Sequence, residues 1–185
     1  MALKKTKGST KLKVPEKWIE FAPNSTIICN KFVAFKTPLD SKYKTPVRYR
    51  FNTGMLFSTM AKMKVNLGLW IDLTNSNRYY DQSEVTNNNC SYVKLPLMGH
   101  GIPPTYEEVD SFLDICSNFV DSNPNLHIGV HCTHGLNRTG FLIVACMVKV
   151  LHYDVKRALH EFATARPPGI YRQSYIDELY CRYPA

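Results

Sequence analysis

The 185-residue sequence contains no run of about twenty apolar residues, which excludes a membrane-spanning helix. It has no Cys-x-x-Cys pair, so its six cysteines lack the spacing of a zinc ribbon or a dithiol redox centre. Carboxylate pairs of the Glu-x-Glu type that hold divalent ions are missing, as are a Walker loop for nucleotide hydrolysis and a Lys-x-Asp-Gly motif for nucleotidyl transfer. No internal repeat or coiled-coil heptad is found. No secretory signal opens the sequence, and 44% hydrophobic residues can build a core unaided, so the cysteines are expected to be reduced. Acidic residues are the minority charge, 15 Asp and Glu against 23 Lys and Arg, for a formal +8. That balance suits a polyanionic partner, and a nucleic acid fits it better than a membrane.

What is present divides simply. Met1 to Lys13 carries Lys4, Lys5, Lys7, Lys11 and Lys13 with Gly8 and Ser9, cannot bury an apolar face, and is expected to be a disordered basic arm. Residues 14–185 are long enough for one globular domain. Within it Ile27–Cys29, Phe32–Phe35, Leu67–Ile71, Tyr92–Leu95 and Leu126–Val130 read as strands. Met55–Met63, Val155–Arg166 and Ser174–Tyr183 read as helices, with Pro167-Pro168-Gly169 breaking the chain between the last two. Another helix is marked by Thr105 as N-cap, Glu107 and Glu108 in the first turn, and Val109, Phe112, Leu113, Cys116, Phe119 and Val120 on one face. Phe141–Val148 is apolar all round, as a buried helix requires. Strands alternating with helices predict an α/β fold, a central mostly parallel sheet flanked by helices on both faces.

The chemistry is concentrated in His131-Cys132-Thr133-His134-Gly135-Leu136-Asn137-Arg138-Thr139-Gly140, between a strand and the apolar helix. In a strand, loop, helix setting the backbone N–H groups of Thr133, His134, Gly135, Leu136, Asn137 and Arg138 point into the loop, where the helix N-terminus also favours an anion. A thiol in such a field ionises readily, so Cys132 is expected to be a thiolate nucleophile. Arg138 offers a planar fork for two phosphate oxygens, in the bound state and in the transition state. Thr139 is placed to hydrogen-bond the sulfur and help it leave, and His131 to hold the loop. Together these residues imply a phosphatase that works through a phosphocysteine. A zinc site at His131, Cys132 and His134 is disfavoured because ligands so close in sequence would tear the strand-to-loop geometry. No cofactor is expected, divalent metal included.

The loop HCTHGLNRTG resembles the signature of the cysteine-dependent phosphatases, and in its particular wording the branch that acts on RNA 5′ ends. Ile71-Asp72-Leu73-Thr74-Asn75, Arg78-Tyr79-Tyr80-Asp81, Gly99-His100-Gly101 and Ala165-Arg166-Pro167-Pro168-Gly169-Ile170-Tyr171-Arg172 extend the likeness. From Trp18 to Tyr183 the sequence is similar to the RNA 5′-triphosphatase domain of metazoan-type mRNA capping enzymes. The resemblance implies the cysteine-phosphatase fold and removal of the γ-phosphate from 5′-triphosphate RNA, the first step of cap formation. It also implies a guanylyltransferase domain or the transcription machinery as partner, and a nuclear location.

Protein phosphatases of this superfamily carry an aspartate on a loop before the long helix, where this sequence has Met98-Gly99-His100-Gly101-Ile102-Pro103-Pro104. A nucleoside diphosphate leaves as a well-stabilised anion, so the missing carboxylate suits a phosphoanhydride better than a phosphotyrosine ester. Asp72, near the end of a central strand, is the best remaining carboxylate for an acid or orienting role; the alternative is a structural hydrogen bond, and His100 is a weaker candidate. Arg172 is expected to reach the α- or β-phosphate, with Lys36 and Arg78 as secondary substrate-binding candidates, each open to being a plain surface charge. Two rival readings stay open, a dual-specificity protein phosphatase and a stand-alone RNA 5′-tri- or diphosphatase not tied to capping. A silent phosphate-binding module is disfavoured because both Cys132 and Arg138 are present.

Overall fold

The computed structural model describes residues 12–99 and 101–184; the basic arm as far as Lys11 and the candidate His100 lie outside them. Four strands form one sheet in the order β1 (Phe32–Lys36), β4 (His127–Cys132), β2 (Leu67–Asp72), β3 (Ser91–Lys94). Every neighbouring pair is parallel, so the sheet is wholly rather than mostly parallel. The helices are α1 (Thr53–Lys62), α2 (Ser83–Thr86), α3 (Tyr106–Ser122), α4 (Asn137–Leu151), α5 (Val155–Ala165) and α6 (Gln173–Arg182).

Parallel strands are covered on both faces, and every residue of β1 and β2 is buried. Side chains alternate between the faces. Phe32, Ala34, Leu69, Ile71, Ile128 and Val130 join Phe112, Phe141, Phe162 and Leu179 in a core shared with α3 to α6. Val33, Phe35 and Trp70 point the other way, into a second core with Trp18, Leu56, Met60 and Val85. The apolar run after the loop is used as expected: α4 is buried from Thr139 to Met147, packed against α5, α6, α3 and the sheet.

Helix boundaries follow capping chemistry. Thr105 and Glu108 exchange hydrogen bonds in a capping box, the Glu108 N–H donating to the threonine hydroxyl at 3.2 Å and the Thr105 N–H to the carboxylate at 2.7 Å. Helix α1 starts earlier than its apolar pattern, at Thr53, because the Asn52 side chain accepts from the Met55 N–H at 2.9 Å. Ile27–Cys29 is not a strand: only Ile28 pairs, in a single antiparallel bridge with Phe32. Cys29 and Asn30 both have positive φ, 48° and 53°, and reverse the chain too tightly for a ladder to extend.

Candidate active site

Strand β4 lies between β1 and β2, so its carboxyl end opens in the middle of the sheet edge, where parallel α/β sheets bind ligands. Cys132 is its last residue, in register with Lys36 of β1. Residues 133–136 turn directly into α4, which begins at Asn137, so Arg138 and Thr139 stand in the first helical turn. The turn needs glycine at 135: φ is +66°, and a Cβ there would lie 2.1 Å from the Phe35 carbonyl oxygen.

The direction of the loop's peptide groups is set from outside. The Thr133 carbonyl accepts from the Thr37 N–H at 3.1 Å, and the His134 and Gly135 carbonyls accept from Arg166 at 3.0 and 3.2 Å. A planar trans peptide sends its N–H opposite to its C=O, so these contacts turn the N–H groups of His134, Gly135 and Leu136 inward. Among the described residues no backbone carbonyl accepts from the N–H groups of Thr133 to Thr139. The result is an anion cradle at a helix N-terminus.

The thiol at its centre behaves differently from the other buried cysteines. Burial pushes Cys90 and Cys146 up to about 12. Burial acts on Cys132 in the same sense, but the Arg138 guanidinium, the Thr139 hydroxyl and the N–H groups of Thr139 and Leu136 overcome it and bring the thiol below its ordinary range. The Thr139 hydroxyl is buried with no other partner among the described residues. Arg138 is braced from behind, donating to the Leu73 and Leu97 carbonyls at 3.3 and 3.2 Å and to the Thr133 hydroxyl at 3.0 Å.

Arg166 had no site role in the sequence, where it reads as the end of a helix. It is 1% exposed, and besides the two loop carbonyls it donates to the Ala22 carbonyl at 2.8 Å. Burial draws its pKa down to about 10, opposed by the Cys132 charge, so it is a cation at neutral pH. No carboxylate pairs with it among the described residues. The only sequence signal was an arginine next to Pro-Pro-Gly, which gives no direction to the side chain.

Above the cradle lies a cleft of about 580 Å³ bordered by Arg78, Arg138, Arg172, Cys132, Thr133 and His134 on its polar side, with Tyr171, Tyr175 and Met98 also exposed to it. Arg78 and Arg172 are therefore brought to the site. The Asn137 side chain fastens the Arg172 loop to α4, accepting from the N–H groups of Tyr171 and Arg172, both at 3.0 Å. His134 borders the cleft and donates through Nε2 to the Glu16 carbonyl at 2.7 Å; burial, then the charges of Arg138, Arg172 and Lys36, lower its pKa against that hydrogen bond. Glu16 is the one carboxylate-bearing residue among the described lining residues.

Two candidates are not brought there. Lys36 is 3% exposed and turns away, donating to the Trp18 and Phe21 carbonyls at 3.0 and 2.9 Å with its ammonium 3.8 Å from the Trp18 ring centroid. It anchors the N-terminal segment instead of contacting substrate. Asp72 lies outside the cleft lining and accepts from the Thr74 N–H and hydroxyl (2.8 and 2.7 Å), the Tyr92 hydroxyl (2.9 Å) and the Lys94 ammonium (2.8 Å). Burial opposes its ionisation, but His131, Lys94 and Thr74 outweigh that and hold it at about 2, so it carries no proton to donate at neutral pH. Its Oδ1 lies 3.5 Å from His131 Nε2. His131 is fully buried among Phe35, Trp70 and Tyr80, with Tyr80 Oη at 2.7 Å from Nε2 and the Cys132 carbonyl at 3.2 Å from Nδ1. It sits on the sheet face that carries α1 and α2, beneath the loop that Cys132 begins.

A cysteine and an arginine at the two ends of a loop that can hold one phosphate are the arrangement of a phosphatase domain, and the chain belongs to the dual specificity phosphatase catalytic-domain family, whose profile matches residues 51–183. Solved structures show the same fold: Tk-PTP in its active form (TM-score 0.67, 17% identity, 86% of this chain and 95% of that one) and a protein tyrosine phosphatase of Leishmania major (TM-score 0.65, 18% identity, 89% and 100%). More particularly, the sequence is similar to the mRNA-capping enzymes of Caenorhabditis elegans, 42% identical over 181 residues and 96% of this chain, and of Danio rerio, 42% over 171 residues and 91%. The chain spans 29% of the length of each of those relatives. It is also 37% identical over 175 residues to the RNA/RNP complex-1-interacting phosphatase homolog of Caenorhabditis elegans, covering 91% of this chain and 75% of that protein.

Proposed function

We propose that this phosphatase domain is an RNA 5′-triphosphatase that removes the γ-phosphate from 5′-triphosphate RNA. The reading rests on one observation: a cleft whose floor is an anion cradle and whose rim adds Arg78 and Arg172 offers cations for more than one phosphate, while the Met98-to-Gly101 stretch that borders it carries no carboxylate in its sequence to protonate a poor leaving group. The similarity to capping enzymes supports it. The Cys132 thiolate attacks the γ-phosphorus, the bond from phosphorus to the β–γ bridging oxygen breaks, and diphosphate-ended RNA departs as an anion. Water then attacks the phosphocysteine, the P–S bond breaks, and inorganic phosphate and the thiolate are released with one proton passing to solvent. Arg138 holds the equatorial oxygens in both steps, and Thr139 stabilises the departing sulfur. No divalent metal takes part, because the cradle supplies the positive charge. We place the activity in nuclear cap formation, ahead of a guanylyltransferase.

A second reading, a stand-alone RNA phosphatase that continues to the monophosphate, is favoured by the relative of which this chain covers 75%. Release of phosphate from triphosphate-ended RNA, from diphosphate-ended RNA and from a phosphotyrosine peptide separates them. The triphosphatase reading expects the first to dominate, to persist in EDTA, and to vanish in a folded Cys132→Ser variant. Dominant phosphotyrosine hydrolysis, or a strict need for magnesium, would overturn it. Efficient diphosphate hydrolysis would favour the second reading.

A further inference from the structure

Phosphate recognition leaves part of the cleft unexplained. Tyr171 and Met98 border it while 44% and 56% exposed, although phosphates need no apolar wall. The Tyr171 ring does not hang freely: it stacks on half-buried Phe21 at 6.0 Å and 16°, and Phe21 meets the edge of His134 at 5.4 Å and 65°. His134 belongs to the phosphate loop itself. A row of rings thus leads from the loop to the mouth of the cleft, and the Asn137 bond to the Tyr171 N–H fixes its outer end. Tyr171 is followed at once by Arg172, the rim cation.

We infer that Tyr171, backed by Phe21, is a stacking platform for the first nucleobase of the RNA. The inference rests on the triphosphatase reading and adds a nucleoside subsite to it. The γ-phosphate lies in the cradle and the inner phosphates at the rim arginines, and the base comes next along the same molecule. A rigid, partly exposed aromatic beside a cation suits a base because every base has a π-face, and the contact carries no sequence preference of its own. Phe21 removes the ring's freedom before binding, which reduces the ordering cost.

Three substrates sharing the same reacting bond test it: a 5′-triphosphate oligoribonucleotide, the same oligonucleotide with an abasic first residue, and inorganic tripolyphosphate. In Tyr171→Ala and Tyr171→Leu, kcat/KM on the normal RNA is expected to fall about 5- to 100-fold, mainly through KM, with turnover of tripolyphosphate unchanged. The wild-type protein should show a similar deficit on the abasic RNA, and Tyr171→Phe should restore the normal value. Equal losses on all three substrates would reduce Tyr171 to a structural part of the wall, and full activity of the leucine variant would remove the need for a π-face; either overturns the platform. If the wild type hydrolyses none of the three, the triphosphatase reading itself fails, and the subsite with it.

Discussion

At the scale of single residues, the most consequential side chain is one the sequence left without a role. Arg166 is a buried cation facing backbone carbonyls and the Cys132 charge, so it both aims the peptide groups of the loop and favours the thiolate. Arg166→Met keeps the apolar stem while removing the charge and every donor. It is expected to raise the Cys132 pKa, seen as an alkaline shift in the pH profile of iodoacetamide alkylation, and to slow all phosphate substrates by about one to two orders of magnitude. The losses should be alike on triphosphate RNA and a small aryl phosphate, since the cradle serves both. An unchanged alkylation profile would show that the guanidinium does not reach the thiolate electrostatically. Lysine cannot reproduce a fork that spans three carbonyls, so Arg166→Lys should rescue only part of the shift.

At the scale of elements, the site depends on the junction of β4, α4 and the loop before α6. Asn137 was expected to contribute its backbone N–H to the cradle; its side chain also binds two backbone N–H groups of the Arg172 loop. The first turn of α4 therefore sets where the rim cation and the aromatic platform stand. Asn137→Ala leaves both donors without their acceptor in a partly buried place, at a cost of about 1–3 kcal/mol. Thermal unfolding should register that loss, and kcat/KM should drop more on triphosphate RNA than on a small aryl phosphate. Equal kinetic losses would mean that Asn137 acts only through the cradle.

At the scale of the whole molecule, the sheet is held between two cores, and the polar network beside β2 makes it acid-sensitive. Asp72 is held at about 2 against an ordinary value of 3.8, so its contribution is complete above about pH 4 and is lost as pH falls toward 2. His131 is shifted the same way by burial, against the pull of Asp72; its unfolded form gains a proton near pH 6.5 while the folded form resists it. Both effects make stability fall on acidification, the histidine part first. Urea unfolding followed from pH 7 to pH 3 should show a decline beginning near pH 6.5 and steepening below pH 4, with Asp72 accounting for about 1 kcal/mol of the loss by pH 3. His131→Gln should flatten the upper part and Asp72→Asn the lower. Rising stability in either interval would contradict the assignments. The same scale explains why the family match beginning at residue 51 understates the fold. Trp18 is fully buried with its indole N–H on the Thr37 carbonyl at 2.8 Å, and Pro15 and Glu16 border the catalytic cleft.

The sequence by itself determined what is local or periodic. Short apolar runs marked β1, β2 and β4 and alternation marked β3, the Thr105 cap and its acidic turn marked α3, and the spacing of Cys132 and Arg138 between a strand and a helix marked the loop, because these signals lie within a few residues of one another. It could not determine where long side chains point. Lys36 and Arg166 are both cations next to loop residues, yet Lys36 turns back to the Trp18 and Phe21 carbonyls and Arg166 turns in toward the loop. Asp72 likewise became a locked carboxylate only when β2, β3 and β4 aligned it with Lys94 and His131 in register. Those outcomes are set by partners far apart in the chain, and a buried charge goes where tertiary packing supplies enough hydrogen bonds to offset its desolvation.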